Sequence, residues 1–585
     1  MGSTYSKQLS VTLLIGIVCI ALSSTNRCSA VFEQNARNAK PPNIILIMAD
    51  DMGYSDIGCY GGEIETPVLD RLANNGVRFT QFYNTSRCCP TRAALLTGLY
   101  SHQAGIGLMT GERGYDAYRG DLNRNCVTLA EALRPAGYRT YMAGKWHVTR
   151  HVSPNGNKQN WPIQRGFDRF YGTITGAGSY FDPATLCRGN TFVTPINDKK
   201  YQPASYYYTD AINENAVTFI RDHFSDKTSR PFFLYVSYTS AHWPMHARPE
   251  EIEKYKGKYD AGFNKIRNQR YRKSIECGVI DSRWPMSDAD SNWDKHKNRE
   301  WDIRNMEVYA AMVDRMDQGI GWIVSEVKKH DALDNTIIIY LQDNGGCAEG
   351  YGRRSNQDKM KDADYQPLGP EELQNKIWPP MQTRDGRPVR CGPEVKAGAE
   401  DTFVAYGRAW ANVSNTPFRG YKHDAFEGGI STPFIFHWPN GIPNSRQNTI
   451  NHYPCHLIDV MPTLLQASGA RYPKMIAGQN IKPFEGINLI PALSGEPIER
   501  ASPLGFEHHG NLALRDGKWK IVSAYRKNQP TKWHLYDMET DRTELNDLSQ
   551  ENPELLRDLV AKWQSWADRV GVIQWPFEPK RKPGR

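Results

Sequence analysis

The sequence predicts an α/β protein: a mostly parallel sheet flanked by helices, with a smaller α+β subdomain at the C-terminal end. Short apolar runs without alternation recur along the chain, and helical segments lie between them. Such runs suit strands that are buried on both faces of a parallel sheet. Their alternation with helices is typical of α/β layer folds, which bind ligands at the carboxyl ends of their strands.

Five apolar runs mark the strands, and polar side chains follow four of them. The runs occupy residues 44–48, 138–144, 231–237, 337–341 and 431–437. The polar residues that follow are Asp50 and Asp51, then Lys145 and His147, then His242, and finally Asp343 and Asn344. Because the carboxyl ends of parallel strands share one edge, we expect these side chains to converge there.

Helices separate these strands. Residues 66–79 place Val68, Leu69, Leu72 and Val77 near helical spacing, with an Asn-Gly stop. A second segment begins at Thr128 and ends at Pro-Ala-Gly, and residues 305–330 predict a long amphipathic helix.

The 585 residues exceed what one small core needs. We expect a large domain over about 40–500 and a C-terminal subdomain over 501–575, built from a small antiparallel sheet and the helix predicted at 552–570. The insertions at 246–301 and 346–412 are polar, and we expect both to frame the substrate entrance.

Residues 1–30 have the pattern of a secretory signal: Lys7 precedes the apolar run 11–22, and small residues end at Ala30. The alternative is a buried core helix. The run is too short to span a bilayer with ease, and no later stretch is long and apolar enough to do so. We therefore expect an exported protein, periplasmic or secreted, without stable membrane insertion.

Charge and cysteine content narrow the function. Without Lys7 and Arg27 the chain has 70 basic and 64 acidic residues, spread along its length. This mild excess favours anionic substrates, and the chain lacks the basic stripe of a nucleic-acid binder.

Removing the leader leaves nine scattered cysteines. Export permits disulfides, but the odd number leaves at least one cysteine unpaired or altered.

The two acidic pairs, Asp50-Asp51 and Asp343-Asn344, offer only oxygen atoms. Carboxylates gathered on one edge would repel each other without a cation. Hard oxygen ligands favour Ca²⁺ or Mg²⁺, and no His/Cys spacing suggests tetrahedral zinc. Each pair alone favours a helix or turn cap over a metal site. Two pairs that each follow a buried strand favour a metal site.

The stretch "CCPTRAALLTG" (residues 88–98) predicts the beginning of a helix. Pro90 suits the first turn, and Thr97-Gly98 suits the end. Both cysteines would then lie at a helix N-terminus, where a thiol has a lowered pKa and is nucleophilic. Either cysteine could instead be core filler, and spacing does not say which one matters.

Cys88-Cys89-Pro90-Thr91-Arg92 resembles the Cys-x-Pro-x-Arg signature of the type I sulfatases, and is closest to the bacterial arylsulfatases of the alkaline-phosphatase-like fold. Further similar segments follow in order over nearly the whole mature chain. They are residues 42–56, 137–147, 341–346, 415–435, 514–522 and 535–549. Cys89 at the variable position departs from the smaller hydroxyl residue expected there.

The resemblance implies that a maturation enzyme oxidises Cys88 to formylglycine. One hydroxyl of the aldehyde hydrate would attack sulfur and form a covalent sulfate ester. The second would lose its proton and expel sulfate, which restores the aldehyde.

The resemblance also implies roles for the residues around Cys88. Asp50, Asp51, Asp343 and Asn344 would hold Ca²⁺ together with residue 88, with Mg²⁺ as the second choice. Arg92 would steady the hydrate, and His147 would support its hydroxyl. Lys145, His242 and Lys422 would bind the sulfate group. His242 and Lys422 would also assist the departure of the leaving oxygen. Weaker candidates are His246, Arg419, His423 and "EHHG" at 507–510.

Two other functions stay open. One is a phosphodiester or phosphonate monoester hydrolase of the same superfamily; the other is an inactive binding protein for sulfated glycans, with Cys88 left as a thiol. A second lysine and two histidines around a compact anion favour a sulfate ester. Aryl sulfates and sulfated carbohydrates are both open as substrates, and the oligomeric state is not predicted.

Overall fold

The computed structural model describes residues 40–227, 229–360 and 364–580, so the predicted signal at 1–30 lies outside the described residues. Among the described residues, no helix has the length and apolar character needed to cross a membrane.

The described chain contains one large sheet, a two-stranded hairpin and a four-stranded sheet, with helices around them. The strands are β1 (Asn43–Ala49), β2 (Gly76–Tyr83), β3 (Arg139–Gly144), β4 (Arg169–Thr173), β5 (Leu186–Arg188), β6 (Thr191–Phe192), β7 (Phe232–Ser237), β8 (Thr336–Gln342), β9 (Ser431–His437), β10 (Thr449–Asn451), β11 (Cys455–His456), β12 (Met475–Ile476), β13 (Gln479–Asn480), β14 (Leu504–His508), β15 (Asn511–Asp516), β16 (Trp519–Ser523) and β17 (His534–Asp537). The α-helices are α1 (Pro67–Asn74), α2 (Cys88–Thr97), α3 (Leu129–Leu133), α4 (Tyr208–Ser225), α5 (Pro249–Glu253), α6 (Gly262–Glu276), α7 (Arg299–Lys329), α8 (Gln357–Met360), α9 (Arg408–Ser414), α10 (Glu427–Ile430), α11 (Val460–Ser468), α12 (Ile490–Ser494) and α13 (Pro553–Val570).

The large sheet is mostly parallel, which confirms the predicted fold class. Its strand order is β10-β2-β9-β8-β1-β7-β3-β4-β5-β6, with β11 also paired to β2. Strands β8, β1, β7, β3 and β4 run parallel to one another. The fifth predicted strand, β9, is present but runs antiparallel to both β8 and β2.

Strand β1 is buried on both faces, as its apolar run predicts. Ile45 and Ile47 belong to a core on one face of the sheet, which also takes side chains from α4 and α7. Ile44 and Leu46 belong to the core on the other face, shared with α2 and α11. The sheet therefore lies between two helical layers.

Strand register brings the polar ends to one edge. Ala49 of β1 pairs with Gln342 of β8, so the two acidic pairs follow directly on adjacent strands. Gly144 of β3 pairs with Ser237 of β7. A Cβ at Gly144 would lie 1.9 Å from the Ser237 carbonyl oxygen, so only glycine fits before the chain turns toward the site.

The predicted helices are present, with two corrections. The long helix that we predicted over 305–330 begins earlier, at Arg299, and ends at Lys329. Thr128 forms a capping box with Glu131 at the start of α3. Helix α1 ends at Asn74, and Val77, which we predicted on its apolar face, lies in β2 instead. The Asn-Gly stop ends the helix, and the chain after it is fully buried and extended.

The C-terminal subdomain has the predicted small antiparallel sheet, β14-β15-β16-β17, with α13 packed against it. A Cβ at Gly505 of β14 would lie 2.1 Å from the Trp566 ring, so glycine permits α13 to approach closely. The boundary near residue 500 stays a prediction.

The two insertions have different positions. The insertion at 246–301 forms α5 and α6 and packs beside the loop after β1, where the buried Arg270 contacts Asp56 at 2.5 Å. This insertion therefore packs against the loop that carries the first acidic pair away from the sheet. The insertion at 346–412 borders the candidate site, as described below.

Candidate active site and metal centre

Cys88 is the first residue of α2, where the extended backbone of Arg87 (φ −151°, ψ 143°) leads into the helix. Helix α2 is buried throughout and ends at Gly98, whose φ is 66°. Its N-terminus therefore presents free N–H groups and the positive end of the helix dipole to whatever lies beside Cys88.

The two adjacent cysteines have different surroundings. Cys88 is hydrogen-bonded to His147, whereas Cys89 lies in the apolar core, 3.4 Å from the sulfur of Met109. A hydrogen bond from the Cys89 thiol and the nearby Lys145 ammonium hold the pKa of Cys88 well below its ordinary value, although burial opposes them. Burial raises the pKa of Cys89 well above its ordinary value. Position 88 thus favours an anion, and position 89 does not.

The predicted oxygen ligands form one buried cluster. The backbone N–H of Asp51 donates to Asp343 Oδ1 at 3.2 Å, and Asn344 Nδ2 donates to Asp51 Oδ1 at 2.8 Å. Asp50 Oδ1 and Asn344 Oδ1 are buried without a hydrogen-bond partner. Buried acceptors normally have a partner, and a hard divalent cation would satisfy both oxygens. The donor set therefore fits Ca²⁺ or Mg²⁺.

The carboxyl groups of this cluster are electrostatically strained without a cation. Burial and then the charge of Asp343 raise the pKa of Asp50 to about 7. Burial also raises the pKa of Asp343. Burial alone would raise the pKa of Asp51, but the charges of Lys422 and His242, together with the hydrogen bond from Lys422, lower it. A divalent ion would favour the charged form of every carboxylate here.

Three buried cations surround the carboxylates. Arg92 Nη2 lies 3.0 Å from Asp50 Oδ2 and 3.2 Å from Asp343 Oδ2. Lys422 Nζ lies 2.8 Å from Asp51 Oδ1. Lys145 forms an ion pair with Asp50. Both lysines are buried, and each carries its ammonium group on a flexible aliphatic stem.

The two histidines have distinct proton arrangements. His242 Nδ1 lies 2.7 Å from the Trp243 carbonyl oxygen, which only accepts, so Nδ1 carries a proton. Nε2 of His242 therefore gains or loses the exchangeable proton, and it faces Asp51 at 3.5 Å. His147 is beside Cys88, and its Nδ1 is buried without a partner. Burial lowers the pKa of both histidines.

The structure therefore brings all ten predicted site residues together. The weaker candidates divide. His246 is bonded to the Thr402 carbonyl oxygen, and Arg419 to that of Glu544, so both are tied to backbone outside the cluster.

Sequence reasoning missed Glu349, which connects the site to its surroundings. Its carboxylate lies 2.9 Å from Arg87 Nη1 and 3.4 Å from Lys422 Nζ. It also accepts from Trp243 Nε1 at 2.9 Å and lies 3.1 Å from His423 Nε2. Glu349 follows β8 in a Gly-rich stretch without a motif, so no pattern in the sequence singles it out.

A group of three histidines forms another wall of the site. The ring centroid of His423 lies 5.7 Å from that of His508 and 5.8 Å from that of His509. His508 is 2% exposed, and neither ring nitrogen has a hydrogen-bond partner. The "EHHG" stretch, predicted as a loop that could reach the rim of the active site, thus contributes a buried side chain there.

The cysteines give no disulfide framework. All nine cysteines within the described ranges are free thiols. Eight of them are buried, and Cys277 is partly exposed.

Comparison with known proteins gives consistent results. A family model described as Sulfatase matches residues 42–470, and one described as N-sulphoglucosamine sulphohydrolase, C-terminal, matches residues 421–565. An uncharacterized sulfatase of Schizosaccharomyces pombe is 31% identical over 93% of this chain and 96% of its own. The arylsulfatase of Klebsiella aerogenes is 31% identical over 78% of this chain and 92% of its own. Human arylsulfatase A is 27% identical over 82% of this chain and 75% of its own.

Solved structures share the fold. Ps i-CgsB aligns with a TM-score of 0.60 at 25% identity, over 90% of this chain and 93% of that one. The sulfatase PsFucS1 from Pseudoalteromonas aligns with a TM-score of 0.59 at 20% identity, over 94% of each chain.

Proposed function

The chain belongs to the type I sulfatase family and is a sulfuric ester hydrolase close to the arylsulfatases, and from this premise we propose how it works. Residue 88, after oxidation of Cys88 to formylglycine by a maturation enzyme, supplies the nucleophile. Ca²⁺ is the metal ion. The protein acts after export to the periplasm or the medium.

One observation carries the proposal: a cysteine at a buried helix N-terminus lies beside a lysine, a histidine and an oxygen cluster with two unsatisfied acceptors. Each part suits a sulfate monoester, which is an anion whose S–O cleavage moves charge onto the leaving oxygen. The sulfur of Cys89, by contrast, packs in the apolar core beside Met109.

The metal would be held by Asp50, Asp51, Asp343 and Asn344. All four side chains offer hard oxygen atoms, and their number and burial suit Ca²⁺ better than Mg²⁺, which retains several waters. When bound, the ion would polarise the sulfuryl group and orient it.

The cations of the site would stabilise the sulfate group. Lys145 and Lys422 now contact Asp50 and Asp51, and they would turn to the sulfate oxygens as the metal takes over these carboxylates. Arg92 also donates to Ser237 Oγ, a contact that does not involve the metal-binding carboxylates, so it would stay beside residue 88 and fix the hydrate there. Preorganised charges of this kind stabilise spread negative charge in the transition state.

Proton transfer would be divided between the two histidines. Burial keeps His147 neutral, so it can accept the proton of the attacking hydroxyl at residue 88. His242 would donate from Nε2 to the leaving oxygen, because an incoming sulfate anion favours its protonated form. Lys422 lies on the same side and would assist.

Two measurements test the proposal. We expect the intact mass of the peptide that spans residue 88, from protein made together with a maturation enzyme, to be that of the aldehyde form. We expect the same protein to hydrolyse an aryl sulfate in the presence of Ca²⁺ faster than a phosphate diester. A peptide of unmodified thiol mass in active enzyme would contradict the proposed nucleophile.

A further inference from the structure

Three aromatic side chains form a shelf beside the candidate active site. Trp243 lies 5.5 Å from Trp378 between ring centroids, with the rings 28° from parallel, and 4.7 Å from Tyr351. Tyr351 and Trp378 are themselves 5.6 Å apart. We call Trp243, Tyr351 and Trp378 the aromatic shelf. The three rings are in mutual contact.

The shelf begins at the sulfate-binding groups. The Trp243 ring lies 4.2 Å from the ring of His242, between centroids, and its indole N–H is bonded to Glu349. Glu349 in turn lies 3.4 Å from Lys422 Nζ. The inner end of the shelf is therefore fixed to residues that would hold the sulfate group.

The outer end of the shelf is open to solvent. Trp243 is only 5% exposed, but Tyr351 is 43% and Trp378 is 47% exposed. Adjacent aromatic side chains with this much exposed surface are a common feature of ligand-binding surfaces. Both exposed residues belong to the insertion that we expected to frame the substrate entrance.

The surroundings of the outer end favour a sugar over a purely apolar partner. A groove of about 330 Å³ is lined by Tyr351 and Trp378, by the apolar side chains of Met360, Pro379, Pro380 and Phe403, and by the polar side chains of Arg354, Asn356 and Lys359. An aromatic floor with polar and cationic borders matches the two sides of a pyranose ring. The C–H groups of the ring are slightly positive and lie against the negative face of an indole, while hydroxyl or sulfate groups meet the polar border.

We propose that Trp378 and Tyr351 form a subsite that stacks the sugar ring next to the sulfated residue, so that the substrate is a sulfated oligosaccharide chain. The inference rests on the proposed function and names its substrate class. Trp243 connects this subsite to the sulfate pocket, and Arg354 and Lys359 favour chains that carry further anionic groups.

The test compares hydrolysis of nitrophenyl sulfate with hydrolysis of sulfated saccharides of increasing length. The saccharides are sulfated galactose, sulfated N-acetylglucosamine and sulfated N-acetylgalactosamine, and the di- and tetrasaccharides that contain them, prepared from carrageenan, keratan sulfate and chondroitin sulfate. For the parent enzyme we expect kcat/KM to rise about tenfold or more from monosaccharide to oligosaccharide in at least one series. We expect Trp378→Ala to remove this rise and leave nitrophenyl sulfate hydrolysis within about twofold of the parent.

Two control variants separate binding from folding. Trp378→Phe retains an aromatic face, so we expect it to keep most of the gain with chain length. Phe484→Ala removes another exposed aromatic ring, 36% exposed, which lies against Gly98 at the far end of α2. We expect this control to leave the gain intact. Melting temperatures of all variants identify any loss of folded enzyme.

The outcomes are distinct. Hydrolysis of nitrophenyl sulfate with no gain from saccharide length in any series would overturn the subsite while the proposed function stands. An equal loss of aryl and saccharide hydrolysis in Trp378→Ala would assign the shelf to the leaving group and also overturn it. Failure of the parent enzyme, with its residue 88 in the aldehyde form, to cleave any sulfate ester would refute the proposed function instead.

Discussion

Asn344 donates from Nδ2 to Asp51 Oδ1 at 2.8 Å, and this bond turns the amide oxygen of Asn344 inward, where it has no partner. An amide held in this way by a carboxylate is oriented before any ligand arrives. The inward oxygen and the equally unpartnered Asp50 Oδ1 mark the position that a cation would take. The next two predictions concern the metal ion and the nucleophile at residue 88.

Calcium should stabilise the folded protein, and Asn344→Ala should weaken that effect. A ligand that binds only the native state adds about 2.7 kcal/mol to the free energy of unfolding at a concentration of one hundred times its Kd. Loss of the oriented amide oxygen should raise the Kd about tenfold or more, because even partners outside the ligand shell matter by this factor. Calorimetry over a calcium titration, after chelation, measures both. An identical melting temperature of the parent with and without calcium would exclude the site.

Cys88→Ser should abolish multiple turnover, whereas Cys89→Ser should retain it. A serine at position 88 has one hydroxyl, so it can accept the sulfuryl group but lacks the second hydroxyl that would expel sulfate. The buried hydroxyl in Cys89→Ser should cost about 1–3 kcal/mol of stability without touching the chemistry. Pre-steady-state release of the leaving group, followed over many turnovers, distinguishes the two variants. Sustained turnover by Cys88→Ser at the parental rate would refute the proposal that the hydrate at residue 88 is the nucleophile.

Glu349→Gln should lower kcat/KM about tenfold, because Glu349 makes charge-assisted hydrogen bonds that each contribute about 1.5–3 kcal/mol. Burial alone would lower the pKa of Lys422, but the carboxylates of Asp51 and Glu349 hold it well above its ordinary value. Without the Glu349 charge that pKa falls, so the alkaline limb of the kcat/KM profile should move to lower pH. Glu400→Gln is a matched control, since Glu400 pairs with Arg387 at the surface. A lower rate with an unmoved alkaline limb would show that Glu349 does not act through Lys422.

The sequence predicts those parts of this site that depend on neighbouring strands, and misses those that depend on distant packing. Asp50 and Asp343 follow buried runs whose strands pair directly, so the convergence of their ends was predictable. Glu349 meets Arg87 across 262 positions, and no periodicity records that contact. His508 reaches the site from the C-terminal sheet in the same way.

Strand β2 shows a second limit to what the sequence alone can predict. It leads directly into the Cys88 motif and is buried along its whole length, yet Arg78, Thr80 and Gln81 interrupt its apolar pattern. These polar side chains are bonded within the fold, to Cys59, His452 and Asn448 among others. Because the partners come from distant parts of the chain, the strand has no local signature as a buried one.

Lys520→Met should destabilise the protein strongly. Lys520 Nζ lies 2.8 Å from Glu427 Oε1 and 2.7 Å from Glu544 Oε1, and all three side chains are fully buried where the C-terminal sheet meets β9. Removing one partner of a buried ion pair costs about 3–5 kcal/mol, because the other charge stays buried and unpaired. Lys518→Met is the control, since its pair with Asp537 is partly exposed and contributes at most about 1 kcal/mol. Denaturant unfolding measures both, and equal losses would contradict the prediction.

The same cluster gives a pH dependence with a definite sign. Burial raises the pKa of Glu544 from 4.5 to about 7 in the folded protein, although Lys520 opposes the shift. A folded-state pKa above the unfolded value means that the folded protein holds the proton more tightly, so this contribution to stability is complete below pH 4.5. It is then lost as the pH rises to about 7. We therefore expect the difference in unfolding free energy between the parent and Glu544→Gln to fall across that interval, because glutamine does not titrate. Unfolding at a series of pH values in one buffer system measures the difference, and a constant value would show that Glu544 stays ionised in the fold.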